Sequence, residues 1–443
     1  MKKIESLIKC FATFGVKRIL AKALAKNDTS KNQIYIGEKF SDLNFLPTKE
    51  FILTEIKSKS KKEKKASHIL RAEINLYWVG EDGKALPAPN SKIIFYPQYP
   101  EVRLSGFLLG CERPPSSLLA SRLPGRVLFF GMTNCGKIYC YVVGNESDLA
   151  KEFFHNKYTQ AGVFCEISNS TSDTKKELLE KLAEINAQEW IKSLRLAKDG
   201  KFLDCNAPNC GGYTLEAKLG VKSNGNASPD FLGWEVKQFG VNKFGPNSSS
   251  VITLMTPEPT GGLYQELGIK GFLKKFGYKD KAGRIGRINF GGIHRVGVES
   301  KSTKLTMRLD GFDASKSIIN DLTGGIILFS NTEPDLQVAR WDFAHLVNHW
   351  KGKHAKAVYI QSLKREVGSL EYHYGRNVLL CEGADFSLFL KSMMENKVFY
   401  DPGIKMEIVK GKIETKKRSQ FRVKFGDVPS LYLANEFVDL KSI

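Results

Sequence analysis

Apolar positions along the first stretch recur at helical spacing, and the period then changes. Ile4, Leu7, Ile8, Phe11 and Phe14 fall on one side of a helix, which predicts a helix over roughly 4–24. From Phe51 the chain turns to short β-branched or aromatic runs separated by Gly, Pro and Asn. Such runs near 72–78, 92–96, 127–130 and 137–143 predict strands. The mainly β texture ends near residue 150. A Lys-, Glu- and Leu-rich stretch over about 173–197 returns to helical period, with Leu178, Leu179, Leu182 and Ile185 on one face. This places a boundary between about 165 and 185, giving a β-rich domain over 1–170 and a mixed α/β domain over 171–443. Residues 246–250 and 407–417 read as exposed loops, and Gly324-Gly325 as the start of the apolar strand 326–329.

Composition adds a partner class. At 443 residues the chain exceeds one ordinary domain, and 42% hydrophobic residues suffice for real cores. The formal charge of +20 and pI near 9.4 favour a polyanionic partner, because a basic face supplies sequence-independent phosphate affinity. The run 57–65 is dense in lysine and suits DNA contact or a solvated loop. No signal peptide or membrane span is read: the first segment is interrupted by Lys9, and apolar runs such as 326–329 are far too short. The eight cysteines are scattered, and neither Cys135 and Cys140 nor Cys205 and Cys210 has a partner pair at metal-site spacing. Free thiols in a reducing cytoplasm are expected.

Candidate chemistry concentrates in Pro229-Asp230-Phe231-Leu232-Gly233-Trp234-Glu235-Val236-Lys237. An aspartate, four residues and then Glu-x-Lys is an arrangement many metal-dependent nucleases use. A short strand from Trp234 would put Glu235 and Lys237 on one face and Trp234 and Val236 on the other. Two carboxylates can hold a divalent cation such as Mg²⁺, and the ammonium can orient water or offset charge on the phosphorane. Upstream, Gly211-Gly212-Tyr213-Thr214-Leu215-Glu216 reads as a short helix stopped by Gly220. The turn-rich segment after it could bring Glu216 beside Asp230, in which case a cation is required to offset the clustered charge. His345 and His349 are four apart but lack the glutamate of a metalloprotease motif, so packing or phosphate contact is expected. Gly261-Gly262 and Gly324-Gly325 lack a following Gly-Lys-Ser/Thr, which leaves nucleotide hydrolysis unsupported.

The segment from Gly211 to Lys237 resembles the MvaI/BcnI family of type II restriction endonucleases, which are also similar to the mismatch-repair nicking enzyme MutH. The resemblance continues through Trp341-Asp342-Phe343-Ala344-His345, Asp385-Phe386-Ser387-Leu388-Phe389, Tyr400-Asp401-Pro402-Gly403 and Arg418-Ser419-Gln420-Phe421-Arg422, covering about 185–443. It implies a restriction-endonuclease-like α/β fold and Mg²⁺-dependent cleavage of double-stranded DNA at a short GC-rich site by a monomer. It also implies metal-site carboxylates at Asp230 and Glu235, a catalytic lysine at Lys237 and an additional acid at Glu216. A cognate DNA methyltransferase would protect host sites. DNA contacts are expected from Arg284, Arg287, His294, Arg295 and Arg308, and from Lys405, Lys416, Lys417, Arg418, Gln420 and Arg422.

The front domain needs a separate reading. Residues 96–107 and their surrounding strands resemble the effector-binding domain of EcoRII, a B3-like β-barrel. This implies a second bound DNA copy, held in part by Arg103 and the 57–65 run. Two alternatives stand beside the endonuclease: a mismatch-repair-like strand nickase, and a DNA-binding protein that keeps the fold without cutting.

Overall fold

The computed structural model describes all residues except 27, 29–31, 57–66, 98–99, 168–173, 223–229, 246–247, 334 and 352–354. The lysine-rich run 57–65, Pro229 and His354 therefore lie outside the described residues. The chain divides into two compact units, Met1–Thr171 and Ser172–Ile443.

The first unit is built on two sheets. One has seven strands, ordered Thr159–Ala161, Phe164–Ile167, Val16–Ala23, Val127–Thr133, Lys137–Val143, Asn75–Val79 and Ala85–Pro87. The other has five, ordered Gln33–Gly37, Glu101–Ser105, Lys92–Tyr96, Ser67–Glu73 and Ile52–Ile56. Among the described residues the end strands of neither sheet pair with each other, so closure of the B3-like barrel implied by the resemblance is not seen.

The expected helix over 4–24 ends at Thr13. Gly15 takes a left-handed φ of +76°, which ends the helical path, and Val16–Ala23 becomes a central strand. Ile4, Leu7 and Phe11 are the buried face of what remains. The expected strand 72–78 is split into Ser67–Glu73 and Asn75–Val79, which belong to different sheets. The β texture also runs past 150, since Phe164–Ile167 pairs with Val16–Ala23.

In the second unit the expected helix over 173–197 covers Thr174–Ala187 only, and short strands Ile191–Lys192 and Leu194–Leu196 come after it. Helices Thr174–Ala187 and Cys210–Lys218 bury Leu178, Leu182, Ile185 and Leu215 against Trp234, Val236, Val358, Ile360, Val378 and Leu380. All of those sheet residues except Trp234 belong to strands Glu235–Gly240, Lys356–Val367 and Ser369–Ala384. The first two pair in parallel, Glu235 opposite Ala357 and Lys237 opposite Tyr359, and the last two form an antiparallel ladder. Mixed pairing covered by helices makes this a mixed α/β unit. A second apolar cluster gathers Trp341, Tyr400, Phe421 and Phe389, with the Trp341 indole donating to the Pro257 carbonyl at 3.0 Å.

Two further expectations are revised. Residues 407–417 are a hairpin, Gly403–Val409 against Lys412–Lys416, because Lys410 and Gly411 both take positive φ and close a two-residue turn. Cys205 and Cys210 form a disulfide, their Cα atoms 5.8 Å apart at the entry to the Cys210–Lys218 helix, so the free-thiol expectation fails for this pair. Cys10, Cys111, Cys135, Cys140, Cys165 and Cys381 are free. Among the described residues no helix is long and apolar enough to cross a membrane.

Candidate active site

The strand Glu235–Gly240 is entered through a tight turn. Phe231 and Trp234 exchange both backbone hydrogen bonds, at 3.0 and 2.8 Å, and the two residues between them, Leu232 and Gly233, have φ of +48° and +86°. That is the backbone of a two-residue hairpin turn, and it costs strain at Leu232. Trp234 is fully buried and fixes the register of the strand that begins at Glu235. Lys356 sits over its ring at 5.4 Å.

With that register set, the period of two does the sorting. Trp234 and Val236 face the helices, while Glu235 and Lys237 face the other way. Lys237 Nζ donates to Glu235 Oε1 at 2.8 Å, with side-chain exposures of 21% for the lysine and 5% for the glutamate. Asp230 joins them from before the turn: its Oδ2 accepts from the Val236 backbone N–H at 3.0 Å, which ties its carboxylate to the first residues of the strand. The second oxygen of Glu235, Oε2, is buried and has no hydrogen-bond partner among the described residues. A buried carboxylate oxygen left without a donor is costly unless a cation meets it. The carboxylates of Asp230 and Glu235 are hard oxygen donors of the type Mg²⁺ takes, which commonly binds one or two carboxylates with water and substrate phosphate completing its shell.

Glu216 is half-buried on the Cys210–Lys218 helix, which packs on the opposite, apolar face of the sheet through Leu215 and Leu219. Among the described residues no group of three or more His, Cys, Asp or Glu is arranged to hold a metal ion. The convergence of three carboxylates is therefore not seen in this structure. Tyr359, which the motif did not suggest, stands opposite Lys237. Its hydroxyl shares a 2.7 Å hydrogen bond with that of Tyr432, and both side chains are buried. Burial drives the Tyr359 hydroxyl pKa well up, with a lesser contribution from the Glu235 charge, so it stays protonated beside the pair. Its position is invisible in sequence because it lies in a plain apolar run and is placed only by strand pairing.

The basic residues fare unevenly. Arg284 and Arg418 are exposed, as are Lys416 and Lys417. Arg308 is exposed and stacks on Phe329 at 4.3 Å. Arg287 is bound to Asn289 at 3.0 Å and faces Asp280 and Glu407, and Lys405 pairs with Glu407. Arg422 donates to Asp401 at 2.6 Å, and Arg295 lies over Phe399 at 5.0 Å. In the first unit Arg103 is held by Glu101 and Gln33. Two residues leave the set of surface contacts. His294 is fully buried between Phe290 and Tyr400 and bonded to Thr303 at 2.7 Å; burial lowers its pKa to about 4, so it is a neutral core group. Gln420 is buried too, its backbone carbonyl accepting from Asp401 N–H. Both sit beside strands of the aromatic cluster, His294 bridged to Tyr400 and Gln420 just before Phe421. His345 and His349 lie on the helix Phe343–Trp350 with ring centroids 4.7 Å apart.

Residues 179–432 match the model of the MvaI/BcnI restriction endonuclease family. The chain belongs to that family. Among solved structures it is similar to restriction endonuclease MvaI in complex with its cognate DNA substrate, at 17% identity and a TM-score of 0.46. The match covers 61% of this chain and all of the other. MvaI in the absence of DNA matches over the same shares at 17% identity and a TM-score of 0.34. No curated protein matches the chain. Family membership makes this a chain of a nuclease family, and the family match falls within the second unit.

Proposed function

We propose that the chain is a type II restriction endonuclease, a Mg²⁺-dependent hydrolase that cuts double-stranded DNA at a short GC-rich site. The observation that carries this reading is the Glu235–Lys237 pair with its buried, unpartnered carboxylate oxygen, placed beside Asp230 in a chain of a restriction-endonuclease family. Asp230 and Glu235 would hold the cation. When bound, the cation supplies charge stabilisation at the scissile phosphate and lowers the pKa of a water molecule. Glu235 orients the Lys237 ammonium, and Lys237 holds the attacking water or faces the charge that develops on the phosphate oxygens. Glu216 is assigned a supporting acidic role on the family pattern. Hydrolysis leaves a 5′-phosphate and a 3′-hydroxyl.

The exposed Arg284 and Arg418 are the leading DNA contacts of this unit, with Arg287, Arg295, Lys405 and Arg422 available where DNA phosphates replace their present partners. The protein acts as a cytoplasmic monomer alongside a cognate DNA methyltransferase, and the first unit, including Arg103, binds a second DNA copy that stimulates cutting.

The test is cleavage of supercoiled plasmid and phage DNA in Mg²⁺, beside Asp230→Ala and a metal-free control. Discrete fragments that need the metal and vanish in the variant are expected. Accumulation of nicked circles that never become linear would replace this reading with a strand nickase. DNA binding without cutting in any divalent metal would replace it with a binding protein.

A further inference from the structure

The first unit lies outside the family match, so its function must be read from its own surface. The strand register of its five-stranded sheet lines up Tyr35, Arg103, Ile94, Arg71 and Ile52 in one row across all five strands. Gln33, Ser105, Lys92 and Glu73 form the next row on the same face. The opposite face carries Ile34, Leu104, Ile93, Phe95 and Leu70, all buried, and is the core side.

Charges on the polar face are unequally matched. Arg103 is neutralised by Glu101 at 2.6 Å and bonded to Gln33, which in turn donates to the Tyr96 hydroxyl at 3.2 Å. Lys49 takes Glu73 at 3.0 Å. Arg71 and Lys92 are diagonal neighbours one row apart, close enough for useful side-chain interaction. Glu73, directly opposite Lys92, is thus shared among Lys49, Arg71 and Lys92. Arg71 Nε is buried with no hydrogen-bond partner among the described residues. Burial, and then the charge of Arg71, lower the Lys92 pKa, while Glu73 opposite it acts the other way and only in part offsets them.

An unpartnered guanidinium N–H next to a second cation, on a sheet face bordered by the half-buried tyrosines 35 and 96, is a receptor for a phosphate group. We propose that Arg71 and Lys92 form a phosphodiester-binding site for duplex DNA on the first unit, separate from the Asp230–Glu235–Lys237 site. Duplex DNA is the occupant because the chain is strongly basic overall and its second unit belongs to a DNA-cutting family; this choice rests on the nuclease reading. Arg103, in the same row as Arg71, is already neutralised by Glu101 and borders the site.

The experiment uses the full chain without divalent metal, so that DNA stays intact. A 20-base-pair duplex is titrated, and stoichiometry is read by native mass spectrometry and analytical ultracentrifugation. Two duplexes per chain are expected, with Arg71→Ala/Lys92→Ala binding one. The weaker of the two affinities should fall at least tenfold. Its logarithmic salt slope should drop by about 1.8, since each phosphate contact contributes roughly 0.9. Arg71→Lys/Lys92→Arg should restore the second duplex, which separates charge from folding. A parental chain that binds one duplex, or a double alanine variant that still binds two with an unchanged slope, would overturn the proposal. So would a second site that prefers an RNA duplex of the same length. Failure to bind any duplex would instead count against the nuclease reading.

Discussion

Two Glu/Lys pairs in the second unit share one sequence spacing and differ in environment. Glu235 and Lys237 are two apart on a strand, as are Lys405 and Glu407, and in each the side chains share a face and form an ion pair. Glu407 is 27% exposed and both its oxygens are engaged, one by Lys405 and the other by Arg287 at 3.5 Å. Glu235 is 5% exposed and one of its oxygens has no hydrogen-bond partner among the described residues. The satisfied Glu407 leaves no carboxylate oxygen for a cation, whereas a buried oxygen without a donor is open to one. Local spacing is therefore a poor guide by itself, and burial combined with an incomplete set of partners discriminates.

The largest expected effect on this comparison is from Glu235→Gln, which should lower Mg²⁺-dependent cleavage by about 10³-fold. Glu407→Gln should keep it within about twofold, because a partly exposed pair contributes little. Equal losses in a plasmid assay would erase the distinction. Next, Lys237→Met should lower the rate by about 10²-fold. It should also reduce unfolding free energy by about 1–3 kcal/mol in urea denaturation without metal, since it leaves Glu235 buried without its donor.

A third measurement separates burial from metal chemistry. His294 is buried like Glu235, with Nε2 bonded to Thr303 and Nδ1 without a hydrogen-bond partner among the described residues, and its folded pKa of about 4 lies below the ordinary 6.5. The unfolded chain binds the proton more readily, so the stability His294 contributes is complete above pH 6.5. It is lost as pH falls toward 4, by about 3 kcal/mol in all. His294→Gln should remove that part of the pH dependence, read as the difference between the two proteins' denaturation curves at pH 7 and 4.5. The smallest effect is assigned to Arg284→Ala. This exposed residue should lose a few-fold in DNA affinity and about 0.9 in salt slope, with the rate at saturating DNA unchanged.

The site was legible in sequence where local geometry decides it. Alternation on a short strand put Glu235 and Lys237 together, and the structure agrees. The helix stopped at Gly220 is present as Cys210–Lys218, with Gly220 at φ +77°. Long-range pairing was out of reach. Nothing near Tyr359 announces that it will lie opposite Lys237, and nothing near Glu216 announces that its helix packs on the other face of the sheet. The basic residues were over-read for a related reason. Charge and residue type are visible in sequence, but partners such as Asp280, Asp401 and Glu407 are assigned only by folding. The 4–24 helix failed because apolar residues at 16, 19 and 20 fit either period, and Gly15 was needed to break the tie.

The pairing of the strand Glu235–Gly240 has a consequence for synthesis. Among the described residues it sits at the end of its sheet, joined only to Lys356–Val367, more than a hundred residues further along the chain. Non-local parallel pairing is slow to form because a long loop must close first. While the ribosome is still making residues 240–355, Glu235 and Lys237 have no partner strand to hold them in register. If Glu235 and Lys237 cut DNA as proposed, they are held in register only after most of the chain has been made, so a truncated or nascent product lacks the scaffold for cleavage.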